Sequence, residues 1–188
     1  VQMPQGFQYD IDVSNEVIDY LEITEHYNIN IGSSCQEIFL SLPNDIRIQP
    51  QVTSNVPARV RMNILYAIAA SRHGRVVNTC NRSEDYVGYS TKFGDAAGDF
   101  SILSNYTATE VKEIGIELGL PKNFIEKPPE DGLSGLTDEE NLGFSYDVLD
   151  NFLLNGITPP YEIYKNIEQR HKRNLHKISP MPTCPFFS

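Results

Sequence analysis

The chain contains no tryptophan, three methionines and three cysteines among its 188 residues. Cys35, Cys80 and Cys184 are widely spaced and odd in number, with no CxxC or Cys/His ligand spacing. That argues against a disulfide framework and predicts reduced thiols in a cytoplasmic protein. No apolar run exceeds a handful of residues, which excludes a membrane-spanning helix. Positive charge is scarce as well. Lys plus Arg number 15 against 25 Asp plus Glu, a net charge of −10. Such a balance argues against general nucleic-acid binding and leaves room for a small anionic ligand at a local basic cluster. The first residue is Val1, and no signal peptide follows it, so the N-terminus is expected to be incomplete.

The composition is that of a globular protein, with 40% hydrophobic and 21% charged residues. The length suits a single domain over 1–188, which buries roughly 70% of its unfolded surface on folding. Charge is spread unevenly. Eight acids (Glu126, Glu130, Asp131, Asp138, Glu139, Glu140, Asp147, Asp150) and one base, Lys127, fall between 126 and 150. Five bases (Lys165, Arg170, Lys172, Arg173, Lys177) and one acid, Glu168, fall between 165 and 177, together with His171 and His176. The acidic run reads as solvated, loop-rich surface. The basic run reads either as a solvated helix face or as an arm that contacts a phosphate.

Val1-Gln2-Met3 reads as the end of a strand before the break at Pro4-Gln5-Gly6. Ser14 predicts the cap of a helix presenting Val17, Ile18 and Leu21. Tyr27, Ile29 and Ile31 alternate as in a strand that Gly32 ends. Pro43 to Pro57 reads as a loop or lid. Pro57 is placed in the first turn of a long helix ending at Gly74. Residues 75–79 read as a short buried strand, with a helix starting near Asn81. Thr107 with Glu110, and Thr137 with Glu140, have capping-box spacing. Gly119 and Pro121 stop the helix that starts at Thr107, Ser145 predicts a further helix start, and the tail from Pro180 is extended. Alternating strands and helices predict an α/β fold with a mainly parallel sheet. Ligands in such sheets bind at the carboxyl ends of the strands.

Chemistry concentrates between Val76 and Asp99. A strand end at Asn78-Thr79 and a following helix N-terminus with Glu84 in its first turn suit a phosphate or nucleotide. A carboxylate there suits Mg²⁺, and Lys92 could neutralise phosphate. Asp95 and Asp99 sit in the adjoining loop. Each has a plainer reading: Glu84 as a helix cap, Thr79 and Asp99 as turn residues, Lys92 and Asp95 as a surface ion pair.

Five segments in order, ARVRM at 58–62, NTCNRSED at 78–85, STKFGDAAGDF at 90–100, TDEENLGFSYDVLD at 137–150 and NLHK at 174–177, resemble the NAD synthetase family of ATP pyrophosphatases. The resemblance implies a three-layer, mainly parallel, Rossmann-like fold of the adenine-nucleotide alpha-hydrolase type. It implies ATP-dependent amidation of deamido-NAD to NAD through an adenylate, with release of AMP and pyrophosphate and with ammonia as nitrogen donor. It assigns Gln8 and Thr79 to ATP, Glu84 to Mg²⁺, and Arg59, Lys92, Asp99, His176 and Lys177 to deamido-NAD. Asp95 and Asp99 are the candidate catalytic acids, poised to orient or deprotonate ammonia. A cytoplasmic homodimer is implied, with no membrane or nucleic-acid partner.

The family's SGGxDS phosphate loop, which precedes the MPQGFQ segment, does not occur, and Ala108 and Glu130 replace a family lysine and a small hydroxyl residue. Two alternatives follow. One is a non-catalytic nucleotide-binding or dimer-scaffold relative. The other is the synthetase part of a glutamine-dependent enzyme.

Overall fold

The structure is a computed structural model, which describes residues 1–6, 8, 11–130 and 135–185. Phe7 of the MPQGFQ segment, Asp131 of the acidic run and the last three residues of the tail lie outside the described residues. The elements, in order, are α1 (Ile11–Tyr20), α2 (Gly32–Ser41), α3 (Pro50–Ser71), β1 (Val77–Asn78), α4 (Arg82–Val87), β2 (Phe100–Ser101), α5 (Ala108–Glu117), α6 (Lys122–Glu126), α7 (Asp138–Leu142), α8 (Tyr146–Asn155) and α9 (Tyr161–Asn174). A 3-10 turn, Leu175–Lys177, follows α9.

β1 and β2 pair in parallel, Val77 opposite Phe100 and Asn78 opposite Ser101. Asp99 locks the entry to this pair: its N–H donates to the Val76 carbonyl at 2.8 Å. Its Oδ2 accepts from the Val76 N–H at 2.7 Å. Gly98 is required beside it, because a Cβ there would lie 2.7 Å from the Asn78 backbone nitrogen. A second parallel contact joins Gln2 to Asn28. Around it, Ile29 N–H donates to Gln2 O (2.9 Å) and Ile31 N–H to Pro4 O (2.8 Å). The strands expected near residues 1–3 and 27–31 thus reduce to a single bridge with flanking hydrogen bonds.

Two cores hold the chain. The larger joins α4, α5 and α7–α9 through Val87, Ala108, Leu142, Phe144, Tyr146, Leu149 and Ile167. The smaller joins α2 to α3 through Ile31, Cys35 and Val60, with Met3, Phe39, Val56 and Ile64 against it.

Several expectations for the first 75 residues are corrected. Ser14 lies inside α1 and caps nothing; its Oγ accepts from the Gln2 side chain at 3.0 Å. Gly32 opens α2, a helix the apolar pattern did not reveal because only Cys35 is buried on it. The loop expected over 43–57 is shorter, because α3 starts at Pro50. Pro57 is an interior, fully buried residue of that helix. A proline inside a helix leaves one carbonyl without its helical donor, and burial of the ring offsets that loss. At the far end the left-handed residue is His73 (φ 53°), not Gly74. Strand β1 is only partly buried, since Val77 is 41% exposed.

The downstream helix starts follow the sequence signals. Asn81, Thr107 and Thr137 form reciprocal capping boxes with Glu84, Glu110 and Glu140. Ser145 accepts from Val148 N–H at 3.3 Å.

Candidate functional site

The site grows from the end of β1. Asn78 orders the loop beyond it: its side-chain amide donates to the Asp95 carbonyl at 2.9 Å, and its Oδ1 accepts from Cys80 N–H at 2.8 Å. Asn81 then starts α4. Its Oδ1 accepts from Ser83 and Glu84 N–H, both at 3.0 Å, while Glu84 Oε2 accepts from Asn81 N–H at 2.9 Å. Glu84 is thus a cap, as its plainer reading had it. Burial pushes its carboxyl up to about 7, against the pull of the Asn81 N–H, and the negative charges of Asp138, Asp85 and Asp95 push the same way. Burial likewise pushes the Cys80 thiol up to about 12, helped by Glu84, Asp95 and Asp85. Tyr146 donates to Asp138 Oδ2 at 3.1 Å, and burial holds its phenol above the usual range.

Behind this set lies a buried polar joint. Ser83 Oγ donates to Asp150 Oδ1 and accepts from Ala108 N–H at 3.0 Å, and Thr109 N–H donates to Asp150 Oδ2 at 2.8 Å. Asp150 is 2% exposed and ties the starts of α4 and α5 to α8. Ala108 gives its N–H to this joint. Glu130 forms an ion pair with Lys127 at 3.9 Å.

The loop after α4 is zipped to the end of α9. Lys177 Nζ donates to the Gly88 and Ser90 carbonyls, both at 2.7 Å, and Asn174 Nδ2 donates to Val87 O at 2.9 Å. Lys92 Nζ donates to His176 O at 2.6 Å, and Arg59 Nε donates to Lys92 O at 3.2 Å. Gly88 has φ 64°, and a Cβ there would strike Asn174 Cβ at 2.2 Å, so this junction requires glycine. Asp95 Oδ1 accepts from Thr91 N–H at 3.0 Å.

Between α3, the end of β1, this loop and α9 opens a cavity of ≈ 970 Å³. Six of the residues singled out from sequence line it: Arg59, Thr79, Lys92, Asp95, His176 and Lys177. Gln8, Glu84 and Asp99 do not line it. Asp99 spends a carboxylate oxygen on Val76 N–H. Arg61, Arg170 and Arg173 line it and had not been singled out. The charge count had placed the last two in a basic run, but only helical register puts them on one face with Lys177. Among the described residues that line it, six are Lys or Arg and one, Asp95, is an acid, in a chain whose net charge is −10. Among the described residues there is no group of three or more His, Cys, Asp or Glu able to hold a metal by itself. Mg²⁺ commonly takes one or two carboxylates and completes its shell with phosphate and water. Glu84 is one such carboxylate, buried near Asp138, Asp85 and Asp95, with Oε2 already accepting from Asn81 N–H.

A parallel strand pair beside a capped helix start, with a cationic cavity at its carboxyl end, is an α/β arrangement. The model of the NAD synthase family matches residues 1–181, and the chain belongs to that family. It is 41% identical over 134 residues to the NH(3)-dependent NAD(+) synthetase of Syntrophomonas wolfei, an alignment covering 68% of this chain and 53% of that protein. It is 36% identical over 189 residues to the protein of the same name from Pyrococcus furiosus, covering 93% of this chain and 72% of that one. The solved structure of NMN synthetase from Francisella tularensis superposes with a TM-score of 0.89 at 35% identity, covering 98% of this chain and 77% of that one. The chain thus spans about half of the Syntrophomonas relative it matches. The fold is that of the family, the α/β adenine-nucleotide alpha-hydrolase type.

Proposed function

We propose that this chain carries out ATP-dependent amidation of deamido-NAD to NAD, with ammonia from solution as nitrogen donor. The observation that carries the reading is the cavity, where residues far apart in sequence, Arg59, Thr79, Lys92, Asp95, His176 and Lys177, converge in an excess of positive charge.

In this scheme the pyridine carboxylate oxygen attacks the α-phosphorus of ATP. An O–P bond forms, the bond to the bridging oxygen breaks, and pyrophosphate leaves. Ammonia then attacks the adenylated carbonyl. A C–N bond forms, the C–O bond to AMP breaks, and a proton passes to a base. Asp95, which lines the cavity and accepts from Thr91 N–H, is the carboxylate we assign to receive it. Arg59 and Lys92 bind and orient the anionic substrate, with Lys92 steadied by the His176 carbonyl. Lys177 holds the wall closed through the Gly88 and Ser90 carbonyls. Glu84 would hold Mg²⁺, which screens phosphate charge when bound. The assembly proposed is a cytoplasmic homodimer. The exposed Leu40, Ile46, Ile48 and Tyr66 are surface such an assembly would cover. No helix among the described residues is long and apolar enough to cross a membrane.

A second reading has its own support: the Francisella relative is named for NMN synthesis and matches at 35% identity, beside 36% for the Pyrococcus protein and 24% for the NH3-dependent NAD synthetase of Campylobacter jejuni. In that case the substrate is the nicotinate mononucleotide, and the chemistry is the same.

The test incubates the chain with ATP, Mg²⁺, ammonium and either deamido-NAD or nicotinate mononucleotide, and follows AMP, pyrophosphate and the amide product. Amide formed from deamido-NAD supports the first reading, and amide formed from the mononucleotide alone replaces it with the second. Binding without pyrophosphate release makes the chain a non-catalytic relative. Asp95→Asn is expected to slow amide formation more than adenylation; equal losses in the two steps would remove Asp95 from this role.

A further inference from the structure

Arg170 and Arg173 lie three residues apart on α9 and so share a helix face, and both line the cavity. Neither has a carboxylate ion pair among the described residues. Glu168, the acid within the basic run, is committed to Lys172 at 3.2 Å and to the Tyr86 hydroxyl at 3.4 Å. Arg170 is half-buried and fixed on neutral acceptors: Nε donates to Asn166 Oδ1 at 3.0 Å and one Nη to Asn141 O at 2.8 Å. Its remaining N–H donors are uncommitted among the described residues. Arg173 has no side-chain hydrogen bond there. Burial and the repulsion of Arg173 both pull Arg170 below its ordinary value, and Lys177 is pulled down by burial and by the two arginines, against the opposing charge of Asp95. Asp95 is the one acid among the described lining residues, so a bound anion would relieve the repulsion that remains. The carbonyl end of α9 offsets a part of the repulsion.

We propose that Arg170 and Arg173 form a phosphate subsite on the α9 wall of the cavity, which takes a phosphoryl group of the nucleotide. Two planar guanidinium forks backed by the Lys177 charge match the oxygens of a phosphate dianion better than a single carboxylate. The amidation reading supplies only the identity of the nucleotide; the subsite itself rests on the cation geometry.

The test titrates the whole chain and its Arg173→Ala and Arg170→Ala variants calorimetrically with inorganic pyrophosphate, nicotinate mononucleotide, ATP and nicotinate riboside. Each alanine should weaken pyrophosphate about tenfold or more, as expected for loss of a charge-assisted fork, and leave the unphosphorylated riboside unchanged. Arg173→Lys should recover part of the loss. A larger effect on the mononucleotide assigns the subsite to the pyridine substrate, and a larger effect on ATP assigns it to the ATP phosphates. Equal pyrophosphate binding by wild type and Arg173→Ala would overturn the proposal. Arg173 makes no side-chain hydrogen bond among the described residues, so that variant keeps the test intact if Arg170→Ala unfolds. Pyrophosphate binding that depends on Arg173, in a chain that amidates nothing, would sink the amidation reading and leave the subsite standing.

Discussion

The two ends of the molecule are built differently. From Asn81 to Asn174, four of the six described helix starts are fixed by side chains, at Asn81, Thr107, Thr137 and Ser145, while α6 and α9 start at prolines without a side-chain cap. Val87, Ala108, Leu142, Tyr146, Leu149 and Ile167 meet in one core. Over the first 71 residues, α2 and α3 have no side-chain cap. Their shared core is only Ile31, Cys35 and Val60 with a partly buried fringe, and Leu40 stands 69% exposed. The cavity lies between the two regions, with α3 on one wall and α9 on another. The difference teaches that local capping made one half readable, while the other takes its shape from contacts made at a distance.

The sharpest way to break the comparison is to cut equal volumes from each side. Leu149→Ala, in the downstream core with no exposure, should cost about 2–5 kcal/mol, read by urea unfolding. Next in size is the buried carboxyl of Glu84. Its value rises from the ordinary 4.5 to about 7 on folding, so the folded chain holds a proton that the unfolded chain has lost. Stability should therefore fall as pH rises from 4.5 to 7, by on the order of 3 kcal/mol for such a shift. Glu84→Gln should flatten that slope in chelator-treated protein, raise stability above pH 7 and lower Mg²⁺-dependent turnover. An unchanged slope would place the proton elsewhere. Thr107→Ala or Thr137→Ala, each removing a capping box, should cost about 1 kcal/mol. Smallest is Leu40→Ala in the upstream half, expected within about 0.5 kcal/mol. A larger loss there would mean that this face is covered in solution, which sedimentation of the chain would show directly.

Legibility followed the same line. The T-x-x-E and N-x-x-E signals are completed within four residues, so the sequence alone locates the starts of α4, α5 and α7. Ser14 has a capping residue's chemistry, yet it sits inside α1, where the buried Gln2 reaches it from across the fold. Pro57 looks like a helix start and is an interior residue, because burial against neighbours offsets the missing N–H. For the candidate site, the loop residues Thr79, Lys92 and Asp95 and the His176-Lys177 pair were legible as motif. Arg170 and Arg173 were visible only as charge.

By itself the sequence determined the family, the capped helices of the downstream half and the scarcity of positive charge. All three depend on residue identity and short spacing. Tertiary structure decided where that scarce charge goes. Cations on α3, on the loop after α4 and on α9 meet at one cavity, and acids gather behind it around Glu84. Coulomb energy and burial depend on separation in space, and Arg59 on α3 and Lys177 beyond α9 come to line one cavity only in the folded chain.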